Sequence, residues 1–293
     1  MFVLELSDYG GLDYFLWWII LIRSEYWFNF FVFFKIKYNN LNMSLRFNGQ
    51  VAMIFGAARG IGEAIAIRLS KEGAKVIIID VRENEINAVK HKIIKNGGAL
   101  EAYCVDISDE KKVNQCIKQV VKFNTKIDIL INSVGITGPT NCQIEKYELK
   151  DFLDVLNVNL IGAFIVSKAI IPVMKKNNYG RILHVSSIAG KEGNPGMIGY
   201  SASKSALIGM VKSLGKELAE TNITVNGIAP ALISSEMNHD TDPKMLEYMI
   251  QKIPMKRSGT VYEVASLCAW ITSKEASFNT GTIFDISGGR ATY

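Results

Sequence analysis

A repeated unit constrains the fold of this chain more than any other feature: a short apolar run ends on one small or polar residue, and a stretch with helical periodicity follows. Val51–Phe55 ends on Gly56, Ala74–Ile79 on Asp80, Leu100–Val105 on Asp106, Ile127–Ile131 on Asn132, and Arg181–Val185 on Ser186 and Ser187; Thr224–Ile228 leads to Pro230. Helices are predicted between them over about 63–72, 85–96, 110–123, 147–177 and 199–220. Uninterrupted apolar runs of this length suit strands buried on both faces. Strand and helix alternating this often force right-handed crossovers and a parallel sheet with helices on both sides. The expectation is an α/β chain: a doubly wound parallel sheet in a three-layer α/β/α single domain spanning residues 43–293.

In such a sheet, ligands bind beyond the carboxyl ends of the strands. Gly56, Gly60 and Gly62 fall between the first strand and its helix, where glycine permits a tight turn and close approach of a pyrophosphate to the helix N-terminus. The spacing is G-x-x-x-G-x-G, and a bare glycine turn is a weak signal. Asp80, at the end of the second strand, strengthens it, because a carboxylate there accepts from both ribose hydroxyls of a dinucleotide and repels a 2′-phosphate. NAD is therefore expected over NADP, with Arg59 and Arg82 softening the preference. The fold expectation thereby becomes Rossmann-type.

Tyr200 and Lys204 are four residues apart at the start of a predicted helix, on one face. A cation beside a phenol lowers its pKa and eases proton exchange with an alcohol. Ser187, at the end of a strand, reaches the same pocket and suits a carbonyl or carbinol oxygen. A lone Tyr-x-x-x-Lys is usually a surface pair. Together with the glycine turn, Ser187 and Asp80 it reads as chemistry.

In these motifs the sequence resembles the short-chain dehydrogenase/reductase family from about Ser44 to the C-terminus. The resemblance rests on Gly56–Gly62, Asp106–Ile107, Asn132–Gly135, Asn159, Ser187, Tyr200–Lys204, Asn226–Pro230 and Asp285–Gly289. It implies that Tyr200 is the general acid/base, that Lys204 lowers its pKa and binds the nicotinamide ribose, that Ser187 positions the substrate oxygen, and that Asn159 holds a water in a proton relay. It also implies cofactor contacts from Gly56, Arg59, Gly60, Ile61, Gly62, Asp80, Asp106, Ile107, Asn132, Tyr200, Lys204, Pro230, Ile233 and Ser235, with Asp106 at the adenine. The long helices over 147–177 and 199–220 are where this family usually forms homotetramers. Four departures affect the cofactor loops: Phe55 where threonine is usual, Ser133-Val134 within the Asn132–Gly135 motif, Ala231 after Pro230, and Ser235 in place of threonine.

The resulting expectation is an NAD(H)-dependent oxidoreductase interconverting a secondary alcohol and a ketone, with a sugar, sugar acid or polyol preferred. The alternatives are a 3-oxoacyl-(acyl-carrier-protein) reductase using NADPH and, from another class, a non-catalytic nucleotide-binding sensor. Residues 232–257 are expected to form a lid, in which Met237, Met245, Leu246, Met249 and Ile253 either line the site or pack the lid onto the domain. Lys191, Glu192, Asn194, His239 and Arg290 are candidates for greeting a polar or anionic substrate. His91 and His184 read as ordinary residues on a helix surface and in a strand.

Composition matters mainly at the front of the chain. Of 29 aromatic residues, 14 lie in the first 42 positions, with Trp17, Trp18 and Trp27 among them. The two apolar runs there, 14–22 and 26–34, are separated by Arg23 and Glu25. Each is short of the roughly 20 residues a bilayer demands. Residues 1–42 are expected to be an extension arising from a misassigned start or a membrane-associating segment, dispensable to the chemistry. Elsewhere no basic block exceeds a lysine pair, so nucleic acid is not an expected partner. Cys104, Cys116, Cys142 and Cys268 have neither metal-ligand nor disulfide spacing, which suggests a reducing, cytoplasmic setting with mostly buried thiols and no metal.

Overall fold

The computed structural model describes residues 45–235, 243–291 and 293. The expectations for residues 1–42, Met237 and His239 lie outside these. In chain order the main elements are β1 (Val51–Phe55), α1 (Gly60–Lys71), β2 (Lys75–Asp80), α2 (Glu83–Lys95), β3 (Leu100–Cys104), α3 (Glu110–Asn124) and β4 (Ile129–Asn132). There follow α4 (Leu149–Leu156), α5 (Gly162–Lys176), β5 (Gly180–Val185), α6 (Ala189–Glu192), α7 (Ile198–Glu217) and β6 (Ile223–Pro230). The last are β7 (Ile233–Ser234), α8 (Pro243–Gln251), β8 (Gly259–Thr260), α9 (Val261–Ile271) and β9 (Ile283–Ile286).

Seven strands form one parallel sheet in the order β3-β2-β1-β4-β5-β6-β9, and β7 pairs with β8 separately. This is the expected doubly wound α/β fold. The strand order reverses between β1 and β4, which opens a crevice at their carboxyl ends.

Alternation along the strands builds two cores. Ala52, Ile54, Val76, Ile78, Ile129 and Ile131 face one side and pack with Ile65, Leu69, Val89, Ile93, Val264 and Cys268 of α1, α2 and α9. Val51, Met53, Phe55, Ile77, Ile79 and Leu130 face the other side, against Val113, Ile117, Val120, Val166, Ile170 and Val211 of α3, α5 and α7. Each fully buried aliphatic side chain contributes about 1.5–3 kcal/mol, so both layers of helices are held by the pattern that made the strands uniformly apolar. At α9, Thr260 and Glu263 form a reciprocal capping box, and Arg257 pairs with Glu263 at 2.7 Å.

The predicted helix over 147–177 starts at Leu149, and a π turn at Asn157–Ile161 separates α4 from α5. Such an insertion rotates the following residues relative to a regular α-helix and is often found at functional sites. Leu149–Lys176 is the one helix among the described residues that is long and apolar enough to cross a membrane. Its inner face, with Val166, Ile170 and Met174 buried, is nonetheless committed to the sheet. β9 was read from sequence only as a closing motif. It is a half-buried edge strand whose Asp285 and flanking glycines obscure any apolar run. Two cysteines, Cys116 and Cys268, are buried, Cys142 is half-buried and Cys104 is exposed, so the expected burial holds for two of the four thiols.

Candidate active site

The chain leaves β1 through Gly56 at φ +78, where a side chain would put its Cβ 2.8 Å from the Val134 nitrogen. A Cβ at Gly62 would lie 2.0 Å from the Gly56 carbonyl oxygen. These two positions let the first turn of α1 press onto the loop after β1 and expose backbone N–H groups at the positive end of the helix. The turn is braced from β2. Gly56 N–H donates to the Ile79 carbonyl at 2.8 Å, and Ala58 N–H donates to Asp80 Oδ2 at 3.1 Å. Phe55, which offers no side-chain hydrogen bond, is buried in the core below the turn. Asp80 Oδ1 accepts from the Arg82 backbone N–H at 3.2 Å and from Arg82 Nη1 at 3.4 Å. Arg82 also pairs with Glu85 at 3.3 Å.

α7 brings Tyr200 and Lys204 to the other half of the crevice. Ser186 Oγ donates to the Lys204 carbonyl at 2.9 Å and ties the end of β5 to this helix. Ser187 Oγ accepts from Ala189 N–H at 3.1 Å, which fixes it at the head of α6. Lys204 Nζ donates to the Val185 carbonyl at 2.8 Å and sits 5.8 Å from the Tyr200 ring centroid. Gly135 leaves it room, since a Cβ there would approach Nζ to 3.1 Å.

Burial pushes the Lys204 ammonium down to about 8 and pushes the Tyr200 phenol above its ordinary value. The hydrogen bond from Ser187 acts against the second shift. Ser187 thus favours the phenolate through its hydrogen bond, while the Lys204 ammonium is anchored on a backbone carbonyl close to the ring.

Asn159 lies in the π turn and is fully buried. Its Oδ1 accepts from Ile136 N–H at 2.8 Å, and its Nδ2 donates to the Ile136 carbonyl and to Ser203 Oγ, both at 2.9 Å. Both amide hydrogens are thus committed to fixing the loop after β4 against α7.

Behind the same loop runs a buried chain that sequence reasoning passed over. Ser167 Oγ donates to the Ala163 carbonyl at 2.7 Å and lies 3.1 Å from His184 Nε2. With that hydroxyl proton already given, the Nε2–H tautomer donates to Ser167, and His184 Nδ1 faces Asn132 Nδ2 at 3.5 Å. Asn132 Oδ1 then accepts from Val134 N–H at 3.1 Å. The signal was available in sequence as a single histidine inside the apolar run Arg181–Val185.

The cleft between the two halves has a volume of about 370 Å³. Gly56, Arg59, Gly60, Ile61, Asp80, Asp106, Ile107, Ser187, Tyr200, Lys204, Pro230, Ile233 and Ser235 all line it. Gly62, Asn132 and Asn159 sit one layer behind the wall and shape it through the backbone they hold. Asp106 is turned partly on itself, with Oδ1 accepting from Ser108 N–H at 2.9 Å and from Ser108 Oγ at 2.7 Å.

A family model described as enoyl-(acyl carrier protein) reductase matches residues 56–291. The chain is 38% identical over 248 residues to 2-dehydro-3-deoxy-L-rhamnonate dehydrogenase (NAD(+)) of Sphingomonas sp. strain SKA58, covering 85% of this chain and 98% of that protein. The chain belongs to the short-chain dehydrogenase/reductase family. A further relative is the 3-oxoacyl-(acyl-carrier-protein) reductase of Thermotoga maritima, 36% identical over 84% of this chain and 99% of its own. Among solved structures, NAD⁺-bound xylitol dehydrogenase superposes with a TM-score of 0.79 at 33% identity, covering 83% of this chain and 99% of that one.

As a family member the chain is an oxidoreductase acting on CH–OH groups, which sets aside the reading as a non-catalytic nucleotide sensor. Of the polar candidates near Ser187, Lys191 is taken up by Asp285 at 2.8 Å and by the Tyr293 carbonyl, and Glu192 by Arg290 at 2.8 Å. Asn194 and Arg290 line the cleft, as does Met249 of α8, whereas Ile253 is buried beside Gly288.

The buried His184 yields a pH prediction. Burial, with the nearby Lys204 charge, pushes its pKa down to about 3, against 6.5 for an unhindered imidazole. As pH falls below 6.5 the unfolded chain takes up this proton first, so stability present above pH 6.5 is lost progressively toward pH 3. Between pH 6.5 and 4.5 the loss is about 2 kcal/mol. In urea unfolding across that range His184→Asn should show a correspondingly flatter decline than the native chain, and equal slopes would contradict the buried neutral histidine.

Proposed function

We propose that this chain is an NAD(H)-dependent dehydrogenase that interconverts a secondary alcohol and a ketone, with a sugar acid or polyol as the preferred substrate class. Asp80 carries the cofactor reading. Its buried carboxylate is held at the rim of the glycine turn, in position to accept from ribose hydroxyls and to oppose a 2′-phosphate. The cradle at Gly56 and Gly62, where any Cβ would collide, fits a pyrophosphate lying against backbone. When bound, NAD supplies the hydride acceptor of the reaction.

The chain's own residues would manage the oxygen and its proton. Ser187 holds the carbinol or carbonyl oxygen, and Tyr200 exchanges the proton with it. Lys204, anchored on Val185, binds the nicotinamide ribose. Asn159 keeps the loop at Ile136 and the helix at Ser203 in register with both. The names of two relatives, the rhamnonate-type dehydrogenase and the xylitol dehydrogenase, support the substrate class.

NADPH-linked 3-oxoacyl-(acyl-carrier-protein) reduction is the second reading. It is favoured by the Thermotoga relative and by Arg82, whose guanidinium stands beside Asp80. Steady-state turnover on a panel of sugar acids, polyols and acyl thioesters with each cofactor separates the two. The first reading expects higher kcat/KM with NAD than with NADP, and about a tenfold or greater fall in the NAD value for Asp80→Ala. A native chain preferring NADPH and acyl thioesters would overturn it.

A cytoplasmic location accords with four cysteines that are all free. The reading places the activity wholly within residues 43–293. A homotetramer is supported by Leu149, Leu153, Ile161 and Phe164, large apolar residues exposed along α4, the π turn and α5. Sedimentation velocity should return four times the chain mass of 32.5 kDa, and a monomer at micromolar concentration would exclude this assembly.

A further inference from the structure

Among the described residues, the substrate half of the cleft, beyond Ser187 and Tyr200, carries little charge. Of the charged residues that line the cleft, Arg59, Asp80, Arg82 and Asp106 belong to the loops after β1, β2 and β3, and Lys204 is anchored on the Val185 carbonyl. The remaining one is Arg290, which shares its part of the wall with Asn194, Met197 and Met249.

Arg290 is held in place from behind. Nε and Nη2 both donate to Glu192 Oε2, at 3.0 and 2.8 Å, and Nη2 also donates to Asn194 Oδ1 at 3.3 Å. Its backbone N–H closes a turn onto the Ser287 carbonyl at 3.2 Å. Lys191 ties the same short helix, α6, to Asp285, so two successive residues of α6 grip the C-terminal segment directly after Ser187. The Arg290 side chain is only 7% exposed, and its Nη1 has no hydrogen-bond partner among the described residues. Asn194 Nδ2 has only a 4.0 Å contact to the Met197 sulfur.

The polar side-chain atoms of these two lining residues that lack a normal hydrogen-bond partner among the described residues are donors: Nη1 of Arg290 and Nδ2 of Asn194. Glu192, the neutralising carboxylate, is not part of the lining. Donors built on a fixed guanidinium, with no carboxylate beside them in the lining among the described residues, suit a carboxylate far better than a hydroxyl, because charge-assisted bonds to a planar anion are about twice as strong as neutral ones.

We propose that Arg290, with Asn194, forms a carboxylate-recognition subsite that directs this enzyme to sugar acids in preference to neutral polyols. This rests on the dehydrogenase reading above and narrows its substrate class. Glu192 is then a positioning residue, acting through Arg290.

The test measures kcat and KM, with NAD, for a 3-deoxy sugar acid and for xylitol, using the full-length native chain and Arg290→Lys. The native chain should favour the acid. Arg290→Lys keeps the charge and the Glu192 pair but loses the fork, and should lower the acid-to-xylitol ratio of kcat/KM by about tenfold or more, through KM. Its NADH affinity, read by fluorescence, should stay within about twofold of native. Glu192→Gln, which leaves the guanidinium without its counter-charge, should lower the acid's KM. An unchanged ratio in Arg290→Lys, or equal losses on acid and xylitol, would overturn the subsite and leave Arg290 a strap for the C-terminal segment. Native turnover of xylitol but not of the acid would also overturn it while sparing the dehydrogenase reading. Native turnover confined to acyl thioesters with NADPH would remove both.

Discussion

The register of the parallel sheet is the constraint on which the site depends. Phe55 pairs with Ile79 on one side and with Asn132 on the other, and Asn132 pairs with His184. The carboxyl ends of β1, β2, β4 and β5 are therefore level, and the residues that follow them open into one crevice. A slip of one residue in any of these strands would exchange the two core faces and carry Asp80, Asn132 or Ser187 away from the others. Close packing of each face against its own set of helices opposes the slip.

Loop geometry at the crevice follows from backbone packed on backbone. Gly56 abuts the Ser133–Val134 peptide, Gly62 abuts Gly56, and Asp80 reaches across to the Ala58 N–H. On the catalytic side, side chains that never reach the cleft set its wall: Asn159 fixes Ile136 to Ser203, and Ser167, His184 and Asn132 run in series to Val134. The same low-polarity surroundings hold His184 neutral, draw Lys204 toward neutral pH and raise Tyr200. In the proposed mechanism, proton transfer at Tyr200 would take place where water competes little and with Ser187 as the immediate partner of the phenol.

Most of this was legible in the sequence because it rests on local pattern. Six of the seven sheet strands are visible as apolar runs, and Gly56, Asp80, Asp106 and Ser187 at their ends line the cleft. β9 is not visible in this way, since its run is short, half-buried and broken by Asp285. The π turn at Asn159 was hidden because an insertion of one residue leaves the apolar periodicity of a long helix nearly intact. Spacing along a helix put Tyr200 and Lys204 on one face, but it said nothing of the Val185 carbonyl that holds the ammonium. The partners of Lys191 and Arg290 lie about a hundred residues away, beyond the reach of any local rule. His184 looked ordinary because its partners come from β4 and α5.

In the proposed mechanism Tyr200 exchanges the proton with the substrate, while the glycine turn, Asp80 and Lys204 provide most of the hold on the cofactor. Tyr200→Phe removes one oxygen from this arrangement. Its steady-state turnover, measured beside NADH binding by fluorescence, is the most direct test. A fall in kcat of about 10²–10⁴-fold with NADH still bound is the predicted result. Turnover close to that of the native chain would contradict the account.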